Sequence, residues 1–142
     1  MTTFINRRTV RIEWGDCDPA QIVFYPRYFA MFDASTAELF RAALGKPKIE
    51  WTKAFGIIGF PMVDTRAKFI VPSRYGDDIV FESRVSRFGG SSFDVEHKVF
   101  RDGGVLAIEA SETRVWAGPD PDKPGAIKGV KIPAEVIAAF SR

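Results

Sequence analysis

The sequence predicts an α+β fold: one antiparallel sheet with one long helix buried against it. Three observations carry this. Residues 26–44 have helical periodicity and are stopped by Gly45 and then Pro47. An alternating segment, residues 4–14, stands before the helix, and four extended segments follow it. The last three of these are joined by short glycine turns, Gly89-Gly90-Ser91 and Asp102-Gly103-Gly104, of the kind that closes antiparallel hairpins.

Each element has its own reason. In the first strand Val10, Ile12 and Trp14 alternate with Arg11 and Glu13, the two-residue period of a half-buried strand. Gly15 ends it, and Asp-Cys-Asp-Pro is a turn sequence. Pro26 opens the long helix, where a missing N–H costs nothing. Phe29, Phe32, Thr36, Leu39, Phe40 and Ala43 fall on one face, with Asp33 at its flank, about 60° from the centre. The opposite face holds Ala30, Met31, Ala34 and Ala42 beside Glu38 and Arg41, so the helix is expected to be covered on most sides. Lys48–Phe55 reads as a short second helix ended by Gly56. Residues 57–71 are extended, interrupted by Pro61, and 72–77 are a loop. Asp78–Phe88, Ser92–Arg101 and residues 105–117 are strands. Residues 118–129, rich in Pro, Asp and Gly, read as a surface loop, and 132–140 as a short terminal helix.

Length and composition bound the function. A chain of 142 residues suits a single domain spanning 1–142. Its hydrophobic fraction of 46% and charged fraction of 27% are ordinary for a globular protein. Thirteen phenylalanines and three tryptophans predict a bulky core, an aromatic pocket, or both. A net charge of +2 gives no support to a nucleic-acid partner. No apolar run is long enough to cross a bilayer, and the first residues lack the apolar core of a signal peptide. Cys17 stands alone, so no intrachain disulfide forms, which fits a cytoplasmic protein. There is no Gly-x-Ser-x-Gly elbow, P-loop or Gly-x-Gly-x-x-Gly fingerprint, and one His with one Cys cannot build a structural zinc site.

The chemistry concentrates in residues 14–33. Two carboxylates, Asp16 and Asp18, sit on a turn just before a helix start. A helix start offers free N–H groups and a partial positive charge. A carboxylate can act as general base or nucleophile, while the N–H groups hold an oxyanion. Asp beside Pro is also a common turn residue, the plain alternative for Asp18. Cys17 reads as a small buried thiol, since the only histidine, His97, lies on a distant strand and is expected to serve packing.

Gly15-Asp-Cys-Asp-Pro-Ala, then Ile22-Val-x-Tyr-Pro, then Tyr28 and Asp33-Ala resemble the 4-hydroxybenzoyl-CoA thioesterase family of the hot-dog fold. The likeness runs over nearly the whole chain. It implies a curved antiparallel sheet wrapped around the long helix. It also implies an acyl-CoA substrate, no cofactor, no metal, and a homodimer or homotetramer with active sites at the subunit interface. Asp18 matches the catalytic carboxylate, the Tyr25 N–H lies near the thioester carbonyl, and Asp33 matches a helix residue at the acyl pocket. Tyr25, Phe29, Asp33, Phe60 and Met62 are the expected pocket walls, an apolar slot suited to a benzoyl ring. Two positions depart from the family pattern. Gly89-Gly90-Ser91 stands where 4-hydroxybenzoyl-specific members carry a basic cluster for the CoA phosphates, so Arg84 and Arg87 are the candidates here. Gln21 replaces the usual glycine.

The resulting expectation is an acyl-CoA thioesterase with an aromatic, 4-hydroxybenzoyl-like substrate. The alternatives are a short- or branched-chain acyl-CoA or acyl-carrier-protein thioesterase, and a non-catalytic acyl-CoA-binding protein on the same fold.

Overall fold

The computed structural model describes residues 2–142. In chain order the elements are β1 (Asn6–Arg11), α1 (Tyr25–Leu44), α2 (Lys48–Phe55), β2 (Met62–Phe69), β3 (Asp78–Phe88), β4 (Ser92–Arg101), β5 (Val105–Val115), β6 (Ala117–Pro119), β7 (Ile127–Gly129) and α3 (Ala134–Ala139). Five strands form one sheet in the order β1-β3-β4-β5-β2, every neighbouring pair antiparallel. β6 and β7 form a separate small hairpin. No helix among the described residues is long and apolar enough to cross a membrane.

α1 buries Tyr28, Met31, Phe32, Ser35, Thr36, Leu39, Phe40 and Ala43, the three- and four-residue spacing of one helical stripe. The stripe is rotated from the expected one: Met31 turns inward, while Phe29 is only half-buried. It also carries two hydroxyls, Ser35 and Thr36, which must find partners inside. Gly45 ends the helix in the left-handed conformation (φ 75°), its N–H on the Arg41 carbonyl.

The core has two halves. Around Phe32 pack Ile79, Phe81, Val99 and Ile108 from the sheet. Around Phe40 pack Trp51 of α2, Phe93, Trp116 and Phe140 beyond α3. Phe40 meets four of these rings and Phe60 at centroid distances of 4.8–6.3 Å. Truncating it to alanine is worth about 3–5 kcal/mol by cavity formation.

The sequence expectations hold for α2, β3 and β4. The first strand is shorter than expected, because Trp14–Asp16 wind into a 3-10 turn. β5 ends at Val115, and residues expected as loop give β6 and β7. β2 is an edge strand, paired on one side to β5 alone. Its residues are exposed but for Ala67, with Met62, Val63 and Phe69 among the large apolar side chains in solvent.

Candidate active site

The turn sequence between β1 and α1 folds into a small hairpin. Cys17 and Val23 face each other across an antiparallel bridge. The Asp18 N–H donates to the Ile22 carbonyl (3.0 Å), and the Phe24 N–H to the Asp16 carbonyl (2.8 Å). Gln21, at the tip, has φ 65°, the left-handed region where a glycine is at ease and a glutamine is strained.

The two aspartates differ in what their carboxylates do. Asp16 accepts the Glu13 N–H (2.9 Å), closing the 3-10 turn. Asp18 accepts the Ala20 N–H on Oδ1 (2.9 Å), an Asx-turn bond. Its Oδ2 accepts no hydrogen bond among the described residues. Phe24 caps α1, and Tyr25 and Pro26 are its first residues. The Tyr25 N–H donates to no acceptor among the described residues. Thus a half-free carboxylate and an unpartnered N–H sit at opposite ends of one short hairpin–helix junction. The Cys17 sulfur is 3.7 Å from the Glu13 carbonyl. The ring nitrogens of His97 are engaged by Ser83 and Thr36, so no Cys–His pair forms.

The expected pocket walls fall into two groups along α1. Tyr25 is exposed and Phe29 half-buried; both meet Phe69 of β2 edge-on, at 6.4 and 6.3 Å. Phe69, Ile70, Val23, Ile22 and Tyr28 line an apolar groove of about 470 Å³ beside this group. Phe69 was not among the sequence candidates. The second group is Asp33, Phe60 and Met62. Phe60 is 3% exposed and packs in the core half built on Phe40 and Trp51, so its side chain does not stand open in the groove. Met62, by contrast, is 41% exposed at the start of β2, opposite Arg114 in register.

Asp33 is tied down. Its Oδ1 accepts from Arg114 Nη2 (2.8 Å), while its side chain stays 64% exposed. Arg114 continues inward to Glu112 (3.0 and 3.1 Å) and to the Phe60 carbonyl (3.2 Å). Glu112 also accepts from the Thr36 hydroxyl of α1, and Thr36 meets His97 at 3.2 Å. Burial pushes the Glu112 carboxyl up, but the His97 ring nitrogen 3.4 Å away and the hydrogen bonds and charge of Arg114 outweigh this and hold it at about 2. Sequence reading missed Glu112 and Arg114. The available signal was phase: they follow Ala110 at two-residue steps on β5, and Ala110 faces the core.

The expected CoA cations face elsewhere. Arg84 pairs with Glu96 (3.1 Å) and Arg87 with Asp94 (2.7 Å). Val85, next to Arg84, is fully buried beneath the sheet, so Arg84 projects from the face turned away from α1, and a bulge between Val85 and Arg87 brings Arg87 onto that same face, in register with Asp94. Among the described residues no three His, Cys, Asp or Glu side chains cluster to hold a metal.

The chain is similar to known proteins over nearly its whole length. The thioesterase superfamily profile matches residues 20–108. The chain is 34% identical over 135 residues to the 4-hydroxybenzoyl-CoA thioesterase of Pseudomonas sp. (strain CBS-3), covering 92% of this chain and 94% of that protein. The solved structure of the 4-hydroxybenzoyl-CoA thioesterase from that strain superposes with a TM-score of 0.87 at 32% identity, over 95% of this chain and 98% of the other. A gentisyl-coenzyme A thioesterase structure superposes with a TM-score of 0.80 at 29% identity, over 95% and 99%. The curved sheet around α1 is a hot-dog fold, and the chain belongs to the thioesterase superfamily, as a thioester hydrolase.

Proposed function

We propose that this chain hydrolyses an aromatic acyl-CoA of the 4-hydroxybenzoyl type to the free acid and CoA, with Asp18 as the catalytic carboxylate. One observation carries the reading: Asp18 has an unengaged oxygen at the same junction where the Tyr25 N–H lacks an acceptor. Likeness to a 4-hydroxybenzoyl-CoA thioesterase over nearly the full chain supports the substrate class. The Tyr25 N–H, at the positive end of α1, polarises the thioester carbonyl and holds the oxyanion. Asp18 then acts in one of two ways. It attacks the carbonyl carbon, expelling the CoA thiolate and leaving an acyl–aspartyl anhydride that water cleaves. Otherwise it takes a proton from the water that attacks the same carbon, and the tetrahedral adduct collapses with loss of the CoA thiolate.

Tyr25 and Phe29 line one end of the acyl slot, Met62, with the buried Phe60 behind it, closes the other, and there Asp33 accepts a hydrogen bond from a para hydroxyl. The unpaired edge of β2 and its exposed apolar side chains support pairing with a second copy, as a homodimer or homotetramer with active sites at the subunit interface. In such an assembly Arg84 and Arg87 serve the CoA phosphates of a neighbouring subunit's site. Exposed pairs of this kind are worth about 0–1 kcal/mol, so phosphate can displace Glu96 and Asp94.

Hydrolysis rates of wild type and Asp18→Asn across aryl, short-chain and long-chain CoA esters test this. The expected result is a preference for 4-hydroxybenzoyl-CoA that depends on Asp18. Preference for long aliphatic chains would remove the aryl reading.

A further inference from the structure

We infer that Arg114 is the specificity-positioning residue of this enzyme: it fixes one oxygen of Asp33 so that the other is presented to a hydrogen-bond donor on the acyl ring. This rests on the reading of Asp33 as an acyl-pocket residue. The arginine is what makes a carboxylate on an exposed helix flank selective.

An aspartate 64% exposed on a helix would ordinarily sample several rotamers and stay hydrated. Here Oδ1 is held at 2.8 Å, while Oδ2 accepts nothing among the described residues. The holding group is itself immobile. The Arg114 side chain is 4% exposed, and its guanidinium makes four hydrogen bonds: two to Glu112, one to the Phe60 carbonyl and one to Asp33. Its plane lies over the Phe60 ring, 5.1 Å from the centroid. Glu112 is fixed in turn by Thr36, one helical turn after Asp33. Asp33, Arg114, Glu112 and Thr36 therefore close a loop between α1 and β5, and neither end can shift without the other.

The charges leave Asp33 able to act. Arg114 is already matched by the buried Glu112, so the Asp33 carboxylate is oriented without being neutralised. A further cation, Lys48, has its ammonium 4.3 Å from the Phe60 centroid and feels both Asp33 and Arg114. A fixed carboxylate oxygen accepts and cannot donate. It selects a para hydroxyl or amino group, disfavours a bare ring because it must then lose water unpaired, and disfavours a para methoxy group whose lone pairs it would face.

The experiment measures kcat/KM for 4-hydroxybenzoyl-, benzoyl- and 4-methoxybenzoyl-CoA in wild type, Asp33→Ala and Arg114→Lys. Lysine keeps the charge but loses the planar fork. The expected result is a wild-type order of hydroxy, unsubstituted, methoxy. In Arg114→Lys the hydroxy-to-unsubstituted ratio falls by about tenfold or more toward that of Asp33→Ala, the loss confined to the hydroxylated ester. Should Arg114→Lys fold poorly, the double variant Arg114→Met with Glu112→Gln leaves no unpaired buried charge and takes its place. A wild-type ratio near one overturns both the pocket reading and this inference. A wild-type preference that survives in the Arg114 variants overturns the inference alone. Equal loss on all three esters makes Arg114 a stability residue and overturns it as well.

Discussion

Asp16 and Asp18 belong to the same hairpin, yet substitution should separate them. Asp18→Asn keeps size and can still accept the Ala20 N–H, but removes the basic oxygen; kcat is expected to fall on the order of 10²–10⁴-fold with the fold intact by circular dichroism. Asp16→Asn weakens a turn-closing bond and should cost about 0.5–1.5 kcal/mol in a denaturant titration, with kcat little changed. Asp18 stands out as a candidate in the sequence because its whole motif is contiguous, residues 15–28. The glycine usual in the family at position 21 makes physical sense once the backbone there is seen, and Gln21 carries a strain in its place. At φ 65° a side chain costs roughly 1–2 kcal/mol, and glycine there gives part of it back to the unfolded chain. Gln21→Gly should therefore be neutral to slightly stabilising, and Gln21→Val clearly destabilising; calorimetric Tm values distinguish them.

Elements bounded by glycine and proline were legible, and those without such marks were not. α2 and the β3–β4 hairpin follow their punctuation residue for residue. The β6–β7 hairpin hides in a stretch where Pro, Gly and Asp suggest only loop, because three-residue strands carry no alternation to read. The α1–β5 contact was invisible for another reason. Thr36 meets Glu112 across 76 residues, and Asp33 meets Arg114 across 81. No local pattern reports such pairs. A buried Glu and Arg on a strand look like its solvent face until the phase is fixed by Ala110. At this scale the test is Thr36→Val, which keeps shape but strips a hydroxyl from a buried carboxylate. It should cost about 1–3 kcal/mol in denaturant unfolding, more than a typical surface change.

For the molecule as a whole, Glu112 couples stability to acid. Its carboxyl is held at about 2 in the fold, against an ordinary value of 4.5. A carboxyl depressed by folding stabilises the protein fully above its unfolded value, and that contribution is lost as pH falls through 4.5 toward 2. Urea midpoints should thus be level from neutral pH to about 5 and then drop steeply. In Glu112→Gln the drop should be shallower, since the group that titrates is gone. A wild type whose midpoint ignores pH between 5 and 2 would show that this ion pair is not held as described.

The bare edge of β2 has a thermodynamic consequence. If that edge pairs with its counterpart in a second copy, folding and association are one equilibrium, and stability depends on how much protein is present. Each tenfold dilution then removes about 1.4 kcal/mol per mole of dimer. The melting temperature should fall stepwise along a dilution series, and activity per subunit should fall with it once the edge is left open. A strand with Met62, Val63 and Phe69 in water is also a template for unintended pairing. The opened edge is therefore the expected site of aggregation on warming, and substitution of Val63 by lysine should trade dimer for a soluble, inactive monomer.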